Sequence, residues 1–205
     1  MKRMSVPDAL TRHVPQTAAA YCIELWQLGK FSLRITKDRQ TKLGDYTFDP
    51  KNGQHTISVN QGLNRYAFLI TYLHEVAHLV TQLRFGVSVK PHGIEWQSAF
   101  KEIVFPVATT DVFPEEILRA LFRHMKTPAA SSCSDLQLQK VLHAYDSDAA
   151  DFVFVEELMV NQQFQIKKDI YRVIEKSLKK SICIQESNQK KYYVPHVMRV
   201  KKVKP

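Results

Sequence analysis

Cysteine is almost missing from this 205-residue sequence, which has only Cys22, Cys133 and Cys183, widely separated and odd in number. That usage excludes a disulfide framework and a Cys-x-x-Cys metal knuckle, and it fits a reducing cytoplasm. Long apolar runs are missing too, because no window approaches 18 uninterrupted apolar residues. A membrane-spanning helix is thereby excluded, and Met1-Lys2-Arg3 lacks the apolar stretch behind it that a secretory signal needs. Acids are scarce at the end of the chain. From Lys167 to Pro205, twelve Lys and Arg face three Asp and Glu, whereas residues 1–166 hold seventeen of each sign, so the net charge of +9 lies in the last stretch. What is present in quantity is core material, 44% hydrophobic residues, enough for one domain of ordinary size or one plus a small appendage.

The most informative stretch is Tyr72-Leu73-His74-Glu75-Val76-Ala77-His78-Leu79, a His-Glu-x-x-His pattern inside an apolar, helix-forming run. Side chains at i and i+4 lie one above the other on a helix, so His74 and His78 share a face and can grip one cation. Glu75 lies about 100° further round, placed to take a proton from metal-activated water as a general base without ligating the metal. Two histidines on a buried helix can also be hydrogen-bonded core residues. Against that, Leu69, Ile70, Leu73, Val76, Ala77, Val80 and Leu83 cover most of the circumference, and burying His, Glu and His among them is costly unless a charge satisfies them.

A catalytic zinc takes three protein ligands and keeps one open position. Gly86 ends the helix pattern and Lys90-Pro91-His92-Gly93 reads as a turn. The helix from His78 to Phe85 carries the chain about 10 Å away. The seven residues to His92 can span about 23 Å on the return. His92 is thus the leading third ligand, with Glu95 and Glu102 as carboxylate alternatives from the following helix. The motif continues Gln82-Leu83-Arg84-Phe85, which excludes the metzincin pattern.

Around this helix the reading is α+β. Pro15-Gln16-Thr17 starts a helix with apolar Ala20, Ile23, Leu25, Trp26 and Leu28, stopped by Gly29, and Trp26 is expected in the core. Residues 31–36, 43–48 and 55–59 read as a small antiparallel meander, with His55 left outside the site. Asn60 to Asn64 supplies cap chemistry for the central helix. Helices follow over Glu95 to Val104, Pro114 to Met125 and Leu136 to Tyr145, with His124 as a dipole partner at its helix end. Thr127 to Ser132 is the linker-like stretch, and past Phe152 the pattern alternates as in strands, with Ile170 to Leu178 open between strand and helix. The expected organisation is 1–127, a linker and short helix at 128–150, and a basic β-rich module at 151–205.

His74-Glu75-Val76-Ala77-His78 followed by Pro91-His92-Gly93-Ile94-Glu95-Trp96 resembles the SprT-like metalloprotease family, which includes Spartan, over roughly Thr17 to Val107. The resemblance implies a zincin-like fold of helix, small sheet and His-Glu-x-x-His helix. It also implies one Zn2+ per chain on His74, His78 and His92, Glu75 as the catalytic residue, and a protease whose best-known relatives act on proteins bound or crosslinked to DNA. The family often ends in a zinc ribbon built on cysteine pairs, and Cys183 alone cannot make one.

Lys167, Lys168, Lys179, Lys180, Lys190, Lys191, Lys201 and Lys202, with Tyr171, Tyr192 and Tyr193 between them, can neutralise phosphates and stack on bases. No base-reading motif accompanies them, so DNA binding is expected to be independent of sequence. The same lysines also suit a solvated surface. Two readings follow: a zinc endopeptidase acting on a protein substrate, with a basic module that tethers it to DNA, and a non-catalytic zinc-stabilised protein that binds nucleic acid or a partner. Glu75 favours the first, since a structural site has no need of a base.

Overall fold

The computed structural model describes residues 4–39, 42–126 and 135–203, which form two compact units, 1–142 and 143–205. The expected linker at Thr127 to Ser132, with Cys133, lies outside the described residues. The helix expected beside it spans Leu136–His143, all but its last residue in the first unit.

Six α-helices occur among the described residues. α1 (Val6–His13) was not foreseen; it is short, with Ser5 accepting from the Asp8 N–H and Pro in its first turn. α2 (Ala19–Gly29) stops where Lys30 turns left-handed at φ 47° and donates to the Trp26 carbonyl. Its buried residues are Ala19 and Cys22, while Leu28 is 73% exposed and Trp26 only half-buried. Small residues face inward because the backbone itself is approached there: the Tyr72 hydroxyl donates to the Cys22 carbonyl at 2.8 Å.

Three strands make the first sheet, β1 (Ser32–Thr36), β2 (Gly44–Asp49) and β3 (Gln54–Asn60), in the order β1-β3-β2. β1 pairs parallel with β3, and β2 pairs antiparallel with β3 through the turn at residues 50–53. The expected antiparallel meander is therefore corrected to a mixed sheet. Alternation marks a strand but carries no direction, and the central place goes to β3, whose Ile57, Ser58, Val59 and Asn60 are all buried. Arg39 closes the crossover from β1 to β2 onto it, donating to Asn60 Oδ1 at 2.9 Å and Ser58 Oγ at 3.1 Å.

The sheet lies against α3 (Arg65–Phe85), whose residues Ala67 to Ala77 are all buried. Asn64 caps it, accepting from the Tyr66 and Ala67 N–H groups at 3.1 and 3.0 Å, and donates through Nδ2 to the Leu142 carbonyl at 2.9 Å. α4 (Ile94–Val104) packs on α3 with Trp96, Ala99, Phe100, Ile103 and Val104 inward. α5 (Glu115–Lys126) buries Ile117, Leu121, His124 and Met125, and α6 (Leu136–His143) buries Leu138 and Leu142.

The second unit is a six-stranded antiparallel sheet, β4 (Phe152–Phe154), β5 (Gln163–Ile166), β6 (Asp169–Lys176), β7 (Lys180–Gln185), β8 (Lys191–Pro195) and β9 (Arg199–Lys202), in the order β4-β9-β5-β6-β7-β8. Its core is Val155, Leu158, Phe164, Val173, Cys183, Val194 and Val200. Cys183 is thus a packing residue, and Ile170 to Leu178 resolves as strand β6. No helix among the described residues is long and apolar enough to cross a membrane.

Replacing the Asn64 cap tests how far α3 depends on it. Asn64→Ala is expected to lower stability by about 1–2 kcal/mol, with Asn64→Asp losing less because it keeps the acceptor. Urea denaturation of the two variants beside the wild type measures both.

Candidate metal centre

α3 presents His74 and His78 one turn apart, and the chain after it delivers the third imidazole. Gly86 ends the helix at φ 70°, and Lys90-Pro91-His92-Gly93 closes with the Gly93 N–H donating to the Lys90 carbonyl at 2.8 Å. His92 occupies the third position of this turn with φ 58°, a left-handed conformation that glycine takes freely and histidine does not. A side chain on Gly93 would meet the Lys90 carbonyl at 2.8 Å, so the turn requires glycine next to the strained histidine. Strain held at such a point marks a place where the side chain matters more than the local preference.

The rings converge. His92 Nε2 lies 3.1 Å from His74 Nε2 and 3.0 Å from His78 Nε2, and one ligand nitrogen from each lies within 4.8 Å of the others. A neutral imidazole nitrogen carries either one lone pair or one N–H. His92 Nε2 can therefore complete a hydrogen bond with one neighbour only, and the other contact is left between like groups. A cation shared by three lone pairs removes that conflict, and the separations are close to the roughly 3.3 Å of nitrogens held about 2.0–2.1 Å from a tetrahedral ion. His74, His78 and His92 can thus hold a metal ion.

Electrostatics favours the ligand form of each ring. Burial pulls His74 down to about 2, helped by His78, His92 and His124, and pulls His78 down to about 4, with His92 adding to it. Burial lowers His92 as well. All three are neutral at neutral pH, which is what coordination needs. Trp96 closes the floor beneath them, its ring centroid 4.6 Å from His74, 5.3 Å from His78 and 4.6 Å from His92.

Glu75 is 7% exposed and points to the edge strand β2. Burial raises its carboxyl to about 8 and Asp45 adds to this, while Arg39, Lys42 and a hydrogen bond from the Tyr46 N–H work the other way. A Cβ built on Gly44 would stand 2.6 Å from both Glu75 Oε1 and Thr71 Cγ2, so only a bare backbone fits over the carboxylate. Sequence reasoning missed Gly44 and Tyr46. The one signal available was the glycine opening a strand, which points to close approach without saying to what.

The alternative ligands go elsewhere. Glu102 accepts two 2.7 Å bonds from Arg84 on the surface, and neither it nor Glu95 joins the histidine group. His55 bonds the Tyr46 hydroxyl through Nδ1 at 2.8 Å. His124, read as a dipole partner at its helix end, is buried with Nδ1 on Asp135 at 3.0 Å. The eight lysines are all exposed, but they do not gather in one place. The register of the meander puts Lys167, Lys168, Lys190 and Lys191 at one end of the second sheet and Lys179 and Lys180 at the other. Lys201 and Lys202 lie on β9, where Lys202 donates to the Ala150 carbonyl.

Fold and site together define an α+β protein with a buried three-histidine group and an adjoining carboxylate on one helix. The family model described as the SprT-like family matches residues 12–113, and this part of the chain belongs to that family, which is generally associated with zinc metalloprotease-like function. The match takes in His74, Glu75, His78 and His92 and stops before α5. No solved structure matches the chain.

His92→Gly separates ligand from core residue. Metal per chain is expected to fall sharply, while the stability of the metal-free protein stays within about 1 kcal/mol of wild type, because relief at φ 58° offsets the added chain entropy. Elemental analysis and urea denaturation read the two halves; a loss of several kcal/mol would make His92 a core residue instead.

Proposed function

We propose that this chain is a zinc-dependent endopeptidase of zincin-like fold, with His74, His78 and His92 as the metal ligands and Glu75 as the general base. The observation that carries this reading is the convergence of His74 and His78 on one buried helix with His92 from the turn after it, beside the Glu75 carboxyl on the same helix. A bound zinc ion supplies Lewis acidity, polarising the scissile carbonyl and lowering the pKa of water.

The protein's own groups do the rest. Drawn down from about 8 by a cation on the three histidines, the Glu75 carboxyl is ionised. Glu75 then accepts the proton of the attacking water and delivers it to the leaving amine nitrogen, a shuttle worth about 10²–10⁴-fold in rate. The Tyr46 N–H holds the carboxylate in direction, and the bare Gly44 backbone stops it from swinging toward the strand. Trp96 shuts bulk water out from below, which keeps the site's electrostatics strong. β2 is an edge strand, so its free side is available to a substrate backbone in extended form, the general mode by which an exposed edge binds a peptide. An extended stretch of a protein substrate suits that edge better than a small amide does.

The second unit completes the proposal as a sequence-independent DNA tether, so that the protease acts on DNA-associated or DNA-crosslinked proteins. Four exposed lysines, Lys167, Lys168, Lys190 and Lys191, share one end of the sheet with Tyr171 and Tyr192, whose rings meet edge to face at 5.6 Å. Cations for phosphates beside aromatic faces for bases is the pattern that single strands favour. A cytoplasmic location goes with this reading, supported by two buried, unpaired cysteines.

Two experiments test the proposal. Glu75→Gln should keep its zinc by elemental analysis and lose at least about 10²-fold in kcat on an unfolded protein substrate; retained activity would sink the mechanism. Binding of single-stranded DNA should weaken with salt with a log–log slope of about −3 for four phosphate contacts, and Lys190→Ala with Lys191→Ala should flatten it by about 1 to 1.5. An unchanged slope would remove this end of the sheet from the interface.

A further inference from the structure

Behind the triad three buried polar atoms have no hydrogen-bond partner among the described residues: His74 Nδ1, Trp96 Nε1 and His124 Nε2. The three rings that carry them all contact one side chain. Phe100 stacks on Trp96 at 5.0 Å, meets His74 at 5.9 Å and meets His124 edge-on at 6.1 Å. Such atoms are costly to leave unmade, about 1–3 kcal/mol each, so their hydrogen-bond roles are worth assigning.

The roles are complementary. If His74 turns the Nε2 lone pair toward the metal, its Nδ1 carries the proton and is a donor. Trp96 Nε1 is a donor in any state. The carboxylate of Asp135 accepts from His124 Nδ1 at 3.0 Å, which leaves His124 Nε2 bare and therefore an acceptor. Asp135 is itself fixed, its other oxygen accepting from the Gln137 and Leu138 N–H groups at 3.1 Å at the start of α6. Two donors and one acceptor on neighbouring side chains are the set that a single buried water satisfies, accepting twice and donating once.

We propose that His124, oriented by Asp135, is a positioning residue for the metal centre, completing through one buried water the outer hydrogen bond of His74 and so fixing its ligating tautomer. His74 and His124 both contact the Phe100 ring, which places the two imidazoles in one neighbourhood. The proposal rests on the reading of His74 as a metal ligand. His124 and Asp135 stand on α5 and just before α6, beyond residues 12–113, so the family segment does not contain its own support. A ligand histidine usually gives its second N–H to such a partner, and losing the partner typically costs about 10–100-fold in metal affinity.

The test is zinc affinity of the full chain, measured by competition with a chelator, for wild type, His124→Phe and His124→Gln, beside the denaturation midpoint of each metal-free protein. His124→Phe fills the same space without an acceptor and should weaken zinc binding by about 10-fold or more. His124→Gln keeps an amide where Nε2 stood and should restore affinity to within a few-fold of wild type. Asp135→Asn keeps the α6 cap and should fall between them. A purely packing role for His124 predicts the reverse pattern, in which midpoints fall and zinc affinity does not change; that result, or equal affinities for the Phe and Gln variants, overturns the proposal. Failure of the wild type to bind zinc would appear in the first measurement and would overturn the metal centre and this inference together.

Discussion

Three neutral imidazoles turned toward one another inside a protein are an unsatisfied arrangement, and the first unit is built to impose it. His92 Nε2 approaches two like nitrogens at 3.0 and 3.1 Å, where its one lone pair or proton can serve only one of them. The burial that keeps these rings unprotonated also removes the water that would otherwise relieve them. An arrangement with no satisfactory protonation pattern of its own is one that a cation stabilises strongly. The energetic cost is borne by a helix buried on nearly every side.

That helix can hold the arrangement because its ends are tied independently of the site. Asn64 satisfies two free N–H groups at its start, and Gly86 turns the chain out of it at the other end. The third imidazole comes from a turn that a histidine does not favour, with glycine required at the next position by the Lys90 carbonyl. Glu75 is governed from the sheet rather than from the helix. The β2 backbone supplies both its hydrogen bond and the wall that limits its swing. A one-residue slip of β2 along β3 would move Gly44 off the carboxylate and put a side chain in its place, so strand register is part of the site.

These dependencies explain what could be read from the amino acids and what could not. His74, Glu75 and His78 follow from helical spacing, and His92 from the reach of the chain through a Pro-containing turn, because both are local properties. The direction of β1 is not local: alternation over residues 31–36 describes either pairing equally, and the parallel partner β3 lies beyond a crossover. α2 misled for a related reason. Its large apolar residues recur at helical spacing, yet the face that packs is the small one, since closeness to Cys22 is what the Tyr72 hydroxyl needs. His124 reads only as a dipole partner at a helix end, and Asp135, from later in the chain, is what gives it a partner. The lysines were legible as charge but not as a patch, because hairpin turns distribute neighbours in sequence to opposite ends of a sheet.

The unit that carries the centre is larger than the segment that defines its family. The matched residues end at 113, but the interior continues through Ile117, Leu121, His124 and Met125 of α5 and Leu138 and Leu142 of α6. The connection is also polar: Asn64, the cap of the helix bearing His74 and His78, donates to the carbonyl of Leu142, at the far end of the unit. A chain cut after residue 113 would keep every residue of the motif while uncovering the His124 side of Phe100 and freeing the second arm of that cap. The motif brings the imidazoles together, and the two helices outside the family segment reach their surroundings through the His124 contact with Phe100 and the Leu142 carbonyl on the Asn64 cap.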